Sequence, residues 1–186
     1  MKHIRHLILY IALGLGANGA AADTAALEAL RDGDMKKLMF HAAPEAAPGI
    51  AFEDVEGNRI TLADYKGRHV LLNFWATWCP PCRHEMPTLS GLQEALGGAD
   101  FAVVTIATGR NPPPAMKKFF DDNGIDNLPL HRDPKSALGR AMGVFGLPIT
   151  VLLDPQGREI ARLQGDADWN SDNARAIIAA WIRDGQ

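Results

Sequence analysis

Apolar positions along this chain fall into unbroken runs and spaced patterns. His69-Val70-Leu71-Leu72-Asn73-Phe74-Trp75 is nearly continuous, and Phe101-Ala102-Val103-Val104-Thr105-Ile106-Ala107 is a second such run. Runs of this length without alternation fit strands buried on both faces of a parallel sheet. Residues 149–153 and 159–164 predict a strand pair around the turn Asp154-Pro155-Gln156-Gly157, and residues 51–55 and 59–62 predict a hairpin around Glu56-Gly57-Asn58. Helical spacing begins near Glu85 and runs to Leu96. It recurs over 115–123, where Met116, Phe119 and Phe120 share a side ahead of a stop at Gly124, then over 135–142, and finally over 173–183 with Ile177, Ile178, Trp181 and Ile182. Leu128-Pro129-Leu130 predicts a short strand. Upstream, 23–39 reads as a short amphipathic helix with Leu27, Leu30 and Leu38, and 41–49, rich in alanine, proline and glycine, as a linker or entry strap. Strand–helix–strand alternation followed by a hairpin and a helix predicts an α/β sandwich of mixed strand direction, with no internal repeat.

The first residues do not belong to that domain. Lys2, His3, Arg5 and His6 precede the apolar run Leu7-Ile8-Leu9-Tyr10-Ile11-Ala12-Leu13-Gly14-Leu15, and small residues then lead to Ala20-Ala21-Ala22. This is the order of a secretory signal, with cleavage after Ala22 preferred over an uncleaved membrane anchor. The apolar core is shorter than the ~20 residues a spanning helix needs. The organisation expected is therefore a signal over 1–22, a helix and linker over 23–49, and a single domain over 50–186.

Composition narrows the chemistry. A net charge of −3 gives no basic face for nucleic acid. The chain has only two cysteines, which excludes a disulfide-stapled scaffold. A closed structural zinc site needs about four ligands, and His41, His69, His84 and His131 do not supply the usual second pair. The cysteines stand together in Trp78-Cys79-Pro80-Pro81-Cys82, between a predicted buried strand and a predicted helix. Pro80 fits the first helical position, where its missing N–H costs nothing. Cys79 then faces the unpaired N–H groups and positive end of the helix, which stabilise a thiolate and lower the thiol pKa below its free value of ~8.5. Thiolate is the attacking species in disulfide exchange. Cys82, one turn on, faces inward and is placed to attack a mixed disulfide formed on Cys79. Spacing alone also fits half a metal site; a buried strand before it, a helix after it and an exported chain favour a redox pair.

The segment from Asn73 to Pro87 (NFWATWCPPCRHEMP) resembles the active-site segment of the thioredoxin superfamily, and more narrowly the TlpA/ResA/DsbE-like branch of exported thioredoxin-like proteins. The resemblance extends from about Ile50 to the C-terminus. It implies a thioredoxin-like fold: a central mixed β-sheet flanked by helices, with an N-terminal β-hairpin and a central strand–helix insert between Asn111 and Met142. The insert opens on Asn111-Pro112-Pro113-Pro114, which reads as a passive loop. Gly146-Leu147-Pro148-Ile149-Thr150 matches the family's cis-proline loop, so the Leu147–Pro148 bond is expected to be cis and the Leu147 backbone to pair with substrate. Trp78, Pro80 and Pro81 are expected to line the same surface, with Trp78 over the sulfurs and Trp75 in the core. Cys79 and Cys82 would form the redox-active disulfide, and no cofactor is implied.

Glu85 matches an acidic residue typical of this branch, and is expected to exchange a proton with Cys82. The alternative is a solvated glutamate in the first turns of a helix. Asn73 departs from thioredoxin itself, which has a buried aspartate there, so that proton path cannot be copied. The function implied is periplasmic reduction of protein disulfides by a monomer supplied with electrons by a membrane thiol donor. Its place would be cytochrome c maturation or assembly of an oxidase copper site. The rivals are a disulfide-forming oxidant and a copper chaperone of the same fold, for which His131 is only a loose third ligand.

Overall fold

The computed structural model describes residues 18–184 of the chain. The export-signal reading of 1–22 falls mostly outside this range. No helix among the described residues is long and apolar enough to cross a membrane.

An eight-stranded sheet organises the chain, with strand order β1-β8-β7-β4-β5-β6-β2-β3. Its strands are β1 (Leu38–Ala46), β2 (Phe52–Glu53), β3 (Arg59–Ile60), β4 (His69–Trp75), β5 (Phe101–Thr108), β6 (His131–Asp133), β7 (Ile149–Leu153) and β8 (Arg158–Gln164). β4, β5 and β6 run parallel, and β7 and β8 continue the sheet antiparallel on the other side of β4. Helices α1 (Asn18–Ala29), α2 (Pro80–Leu96), α3 (Pro113–Asp122), α4 (Ala137–Ala141) and α5 (Asp172–Asp184) complete the sandwich. This is the mixed, helix-flanked sheet expected from the sequence, and the hairpin around Gly57 is β2–β3.

β4 is buried along its whole length, and side chains alternate between the two faces of a strand. Leu71 and Trp75 enter one apolar cluster with Val103, Ala107, the α2 residues Met86, Leu89 and Leu92, and the α5 residues Ile177 and Ile178. Val70, Leu72 and Phe74 enter the opposite cluster with Val104, Ile106, Leu138 and Val151. Each such side chain contributes roughly 1.5–3 kcal/mol by leaving water. Asn73 shares the face of Leu71 and Trp75, and therefore points toward α2. Its strand neighbours in register are Thr105 and Thr150.

Three expectations are corrected. The segment 23–39 is helical only to Ala29; a 3-10 turn follows at Gly33–Lys37, and the chain enters β1 at Leu38. The expected linker is mostly this strand, which pairs antiparallel with β8 and carries a register break between Phe40 and Glu45. Only Leu38 in β1 is fully buried, so the strand lacks the alternation that marks a half-buried one, and Pro44 is tolerated at a sheet edge. The short strand placed at 128–130 lies instead at His131–Asp133. Leu128 is buried, but Pro129 has no N–H for a ladder and instead accepts a hydrogen bond from Thr105 Oγ1 on its carbonyl.

Candidate active site

β4 ends at Trp75, and α2 begins at Pro80 with Cys79 as its N-cap. Cys79 and Cys82 are joined as a disulfide with Cα atoms 5.3 Å apart. The Cys82 N–H donates to Cys79 Sγ at 3.3 Å. The helix therefore presents one of its unpaired N–H groups to the sulfur at its start. Cys79 is 4% exposed and Cys82 fully buried, so the first sulfur lies nearer the surface and the second behind it.

The loop that delivers Cys79 is braced from the loop that follows β5. Asn111 Oδ1 accepts from the Thr77 N–H at 2.8 Å and from Thr77 Oγ1 at 3.0 Å. Its Nδ2 donates to the Thr108 carbonyl at 2.8 Å. The proline run beginning here is therefore more than a passive loop: Asn111 buttresses the turn two residues before Cys79, and Pro113 and Pro114 open α3.

The Leu147–Pro148 bond is cis. Leu147 and Gly146 line a groove of about 480 Å³ beside Cys79, together with Trp78, Pro80, Pro81 and Phe145. Pro148 lies in an adjoining depression with Gly165. Trp78 is 63% exposed and Phe145 89% exposed. Trp75 is instead fully buried, packed on Phe119 and Phe120 with ring centroids 5.6 and 5.5 Å away.

Glu85 is not a solvated helix-start glutamate. It is 1% exposed. Its Oε1 accepts from Asn73 Nδ2 at 2.8 Å. Its Oε2 accepts from the Ala167 N–H and from Trp169 Nε1, each at 3.2 Å. Burial pushes the Glu85 carboxyl up from its ordinary 4.5 to about 7, against the pull of these three donors. Asn73 also donates to Thr150 Oγ1 at 2.9 Å. Sequence reasoning singled out Asn73 and Glu85 but missed Phe145, Trp169 and Asn111. Trp169 and Ala167 lie on the loop between β8 and α5, and no local pattern connects them to α2.

His131, the loose third ligand of the copper reading, lies elsewhere. Its Nε2 pairs with Tyr65 Oη, and its ring packs against Phe52 at 5.5 Å. Phe52 belongs to the apolar cluster on the sheet face opposite the two cysteines. Among the described residues, no group of three His, Cys, Asp or Glu side chains is placed to hold a metal ion.

Residues 42–178 match the Redoxin family. The thiol-disulfide oxidoreductase ResA of Bacillus subtilis is 34% identical over 119 residues, 64% of this chain and 65% of ResA. The chain thus spans just under two thirds of that relative. Thiol:disulfide interchange protein, thioredoxin family protein, from Chlorobium tepidum superimposes with a TM-score of 0.59 at 29% identity, covering 75% of this chain and 98% of that one. A secreted Mycobacterium tuberculosis disulfide oxidoreductase homologous to Escherichia coli DsbE gives a TM-score of 0.60 at 26% identity, over 71% and 96% of the two chains. The cysteine pair at the head of α2, the cis-proline loop beside it and these likenesses lead to one assignment: the chain belongs to the Redoxin family, in the TlpA/ResA/DsbE-like branch of the thioredoxin superfamily.

Proposed function

We propose that this chain is a periplasmic thiol–disulfide oxidoreductase that reduces disulfides of selected exported proteins. The observation that carries this reading is Cys79 Sγ at the N-cap of α2, accepting the Cys82 N–H, with Cys82 buried behind it. In the dithiol form the same N–H and the helix start stabilise a Cys79 thiolate. That thiolate attacks one sulfur of a substrate disulfide, forming a mixed disulfide and expelling a substrate thiolate. Cys82 loses its proton and attacks the Cys79 sulfur. The Cys79–Cys82 disulfide forms, the second substrate thiolate leaves, and two electrons have moved to the substrate. A membrane thiol donor then reduces Cys79–Cys82 by the reverse exchange.

Glu85 takes the proton that Cys82 gives up. A carboxyl near 7 is matched to that exchange at neutral pH. Trp78, Pro80, Pro81, Leu147 and Pro148 form the surface along which the substrate segment lies, with the Leu147 backbone as its pairing edge. Export is supported by the basic-then-apolar start of the chain and by the secreted relative. Cytochrome c maturation or oxidase copper-site assembly is the proposed setting, on the resemblance of the Asn73–Pro87 segment to the TlpA/ResA/DsbE-like branch.

The test joins a redox titration of Cys79–Cys82 to trapping with Cys82→Ser. A midpoint below about −220 mV, with exported proteins held on Cys79, is expected. A midpoint near about −120 mV, typical of a strong oxidant, would reverse the direction. Failure of Cys82→Ser to retain any protein disulfide partner would overturn the reading.

A further inference from the structure

Trp169 lies far from the cysteines in sequence, is fully buried, and spends its indole N–H on a carboxylate. The neighbouring Ala167 N–H is aimed at the same oxygen. Across the site, Asn73 on β4 gives one amide hydrogen to the other carboxylate oxygen and one to Thr150 on β7. Glu85 is thus clamped between a strand and a loop, and α2 contributes only its backbone attachment.

We propose that Trp169 and Asn73 are positioning residues for disulfide exchange, gripping the Glu85 carboxylate from opposite sides and setting its proton affinity. The proposal rests on the proton-exchange reading of Glu85 but asserts something separable from it. A buried carboxylate without donors holds its proton tightly. Each donor stabilises the charged form and lowers that affinity. Burial raises the proton affinity of Glu85, the two side chains and the Ala167 N–H oppose it, and the balance lies at about 7. Of the charged or titratable groups facing Glu85, Asp166 on the same loop opposes ionisation, with His84 3.4 Å from Asp166 at the surface. Cys82 lies one turn earlier on α2, and Cys79 at its cap. β4 and β7 present only Asn73 and Thr150, which do not ionise.

The test is a carbon-13 NMR titration of the Glu85 carboxyl in the disulfide form, where neither cysteine carries a titrating proton. Trp169 is replaced by 3-benzothienylalanine, which keeps the bicyclic shape and lacks the N–H. Asn73→Leu removes the opposite donor while keeping the same side-chain branching, and answers alone should the first replacement not fold. Each is expected to raise the Glu85 midpoint by about one pH unit. An unmoved or lowered midpoint in a folded variant overturns the clamp, because a merely structural Trp169 would leave it unchanged. The pH profile of thiol–disulfide exchange is then measured in the same proteins. Its limb should move with the NMR midpoint, and should not respond to the Trp169 replacement in a Glu85→Gln background. A shifted NMR midpoint with an unshifted exchange profile upholds the clamp and overturns the proton role of Glu85.

Discussion

Glu85 shows two opposing effects on one side chain. Burial favours the neutral acid, three donors favour the carboxylate, and the balance near 7 says burial wins. The consequence for stability follows in sign. The folded chain holds this proton up to about 7, the unfolded chain only to about 4.5. The group therefore adds stability that is fully present below about 4.5 and lost as pH rises through about 7. Its full span is on the order of 3 kcal/mol. His69 and His131 act in the opposite sense: burial lowers both, so their contribution is lost as pH falls below the ordinary histidine value of about 6.5. Denaturant unfolding from pH 4 to pH 8 should show wild type losing about 3 kcal/mol relative to Glu85→Gln across that range. Parallel curves would mean that Glu85 ionises as easily in the folded chain as in the unfolded one. At this scale the pairing of Cys79 with Cys82 was legible from their spacing together with the buried strand before them and the helix after them. The burial of Glu85 was not legible, because the groups that cover it arrive from Ala167 and Trp169 through tertiary packing alone.

Among the elements, legibility followed burial. β4, β5 and β7 carry dense apolar runs, β8 alternates between buried and more exposed residues, and all four were read close to their observed bounds. β1 is the counterexample. Its outer residues meet solvent, its sequence is Leu-Met-Phe-His-Ala-Ala-Pro-Glu-Ala, and its strand conformation comes from pairing with β8 rather than from its own pattern. The strand is nevertheless anchored. Leu38 is fully buried opposite Leu163, whereas the next residue, Met39, is 60% exposed. Leu38→Ala should cost about 2–4 kcal/mol in urea denaturation through lost transfer energy and a residual cavity. Met39→Ala should stay within about 0.5 kcal/mol. Equal, small effects at both positions would show that 38–46 is a detachable strap and return the start of the domain to Ile50.

At the scale of the whole molecule, the two-faced sheet explains why the chemistry sits where it does. Parallel β4 and β5 end together, leaving a crevice at their C-terminal edge, the position that open α/β sheets use for ligands. The Cys79 turn, the Asn111 brace and the cis-proline loop all converge there. Although the chain is net negative at −3, no charged residue among those described lines the groove beside Cys79. Two of the most exposed large apolar side chains among the described residues, Trp78 and Phe145, border it instead. Exposed apolar surface of this kind costs solubility and is retained where a partner covers it. A substrate that fills the groove should therefore depend on Phe145, whereas a small disulfide that touches only Cys79 should not. Phe145→Ala is expected to raise KM for a protein disulfide several-fold, as loss of a buried aromatic contact of about 1 kcal/mol requires. It should leave kcat and the reaction with a small aromatic disulfide unchanged. Steady-state kinetics with both substrates decides the matter. A parallel loss on both would place Phe145 in the support of Cys79 itself, and no loss on either would mean that the substrate is gripped elsewhere.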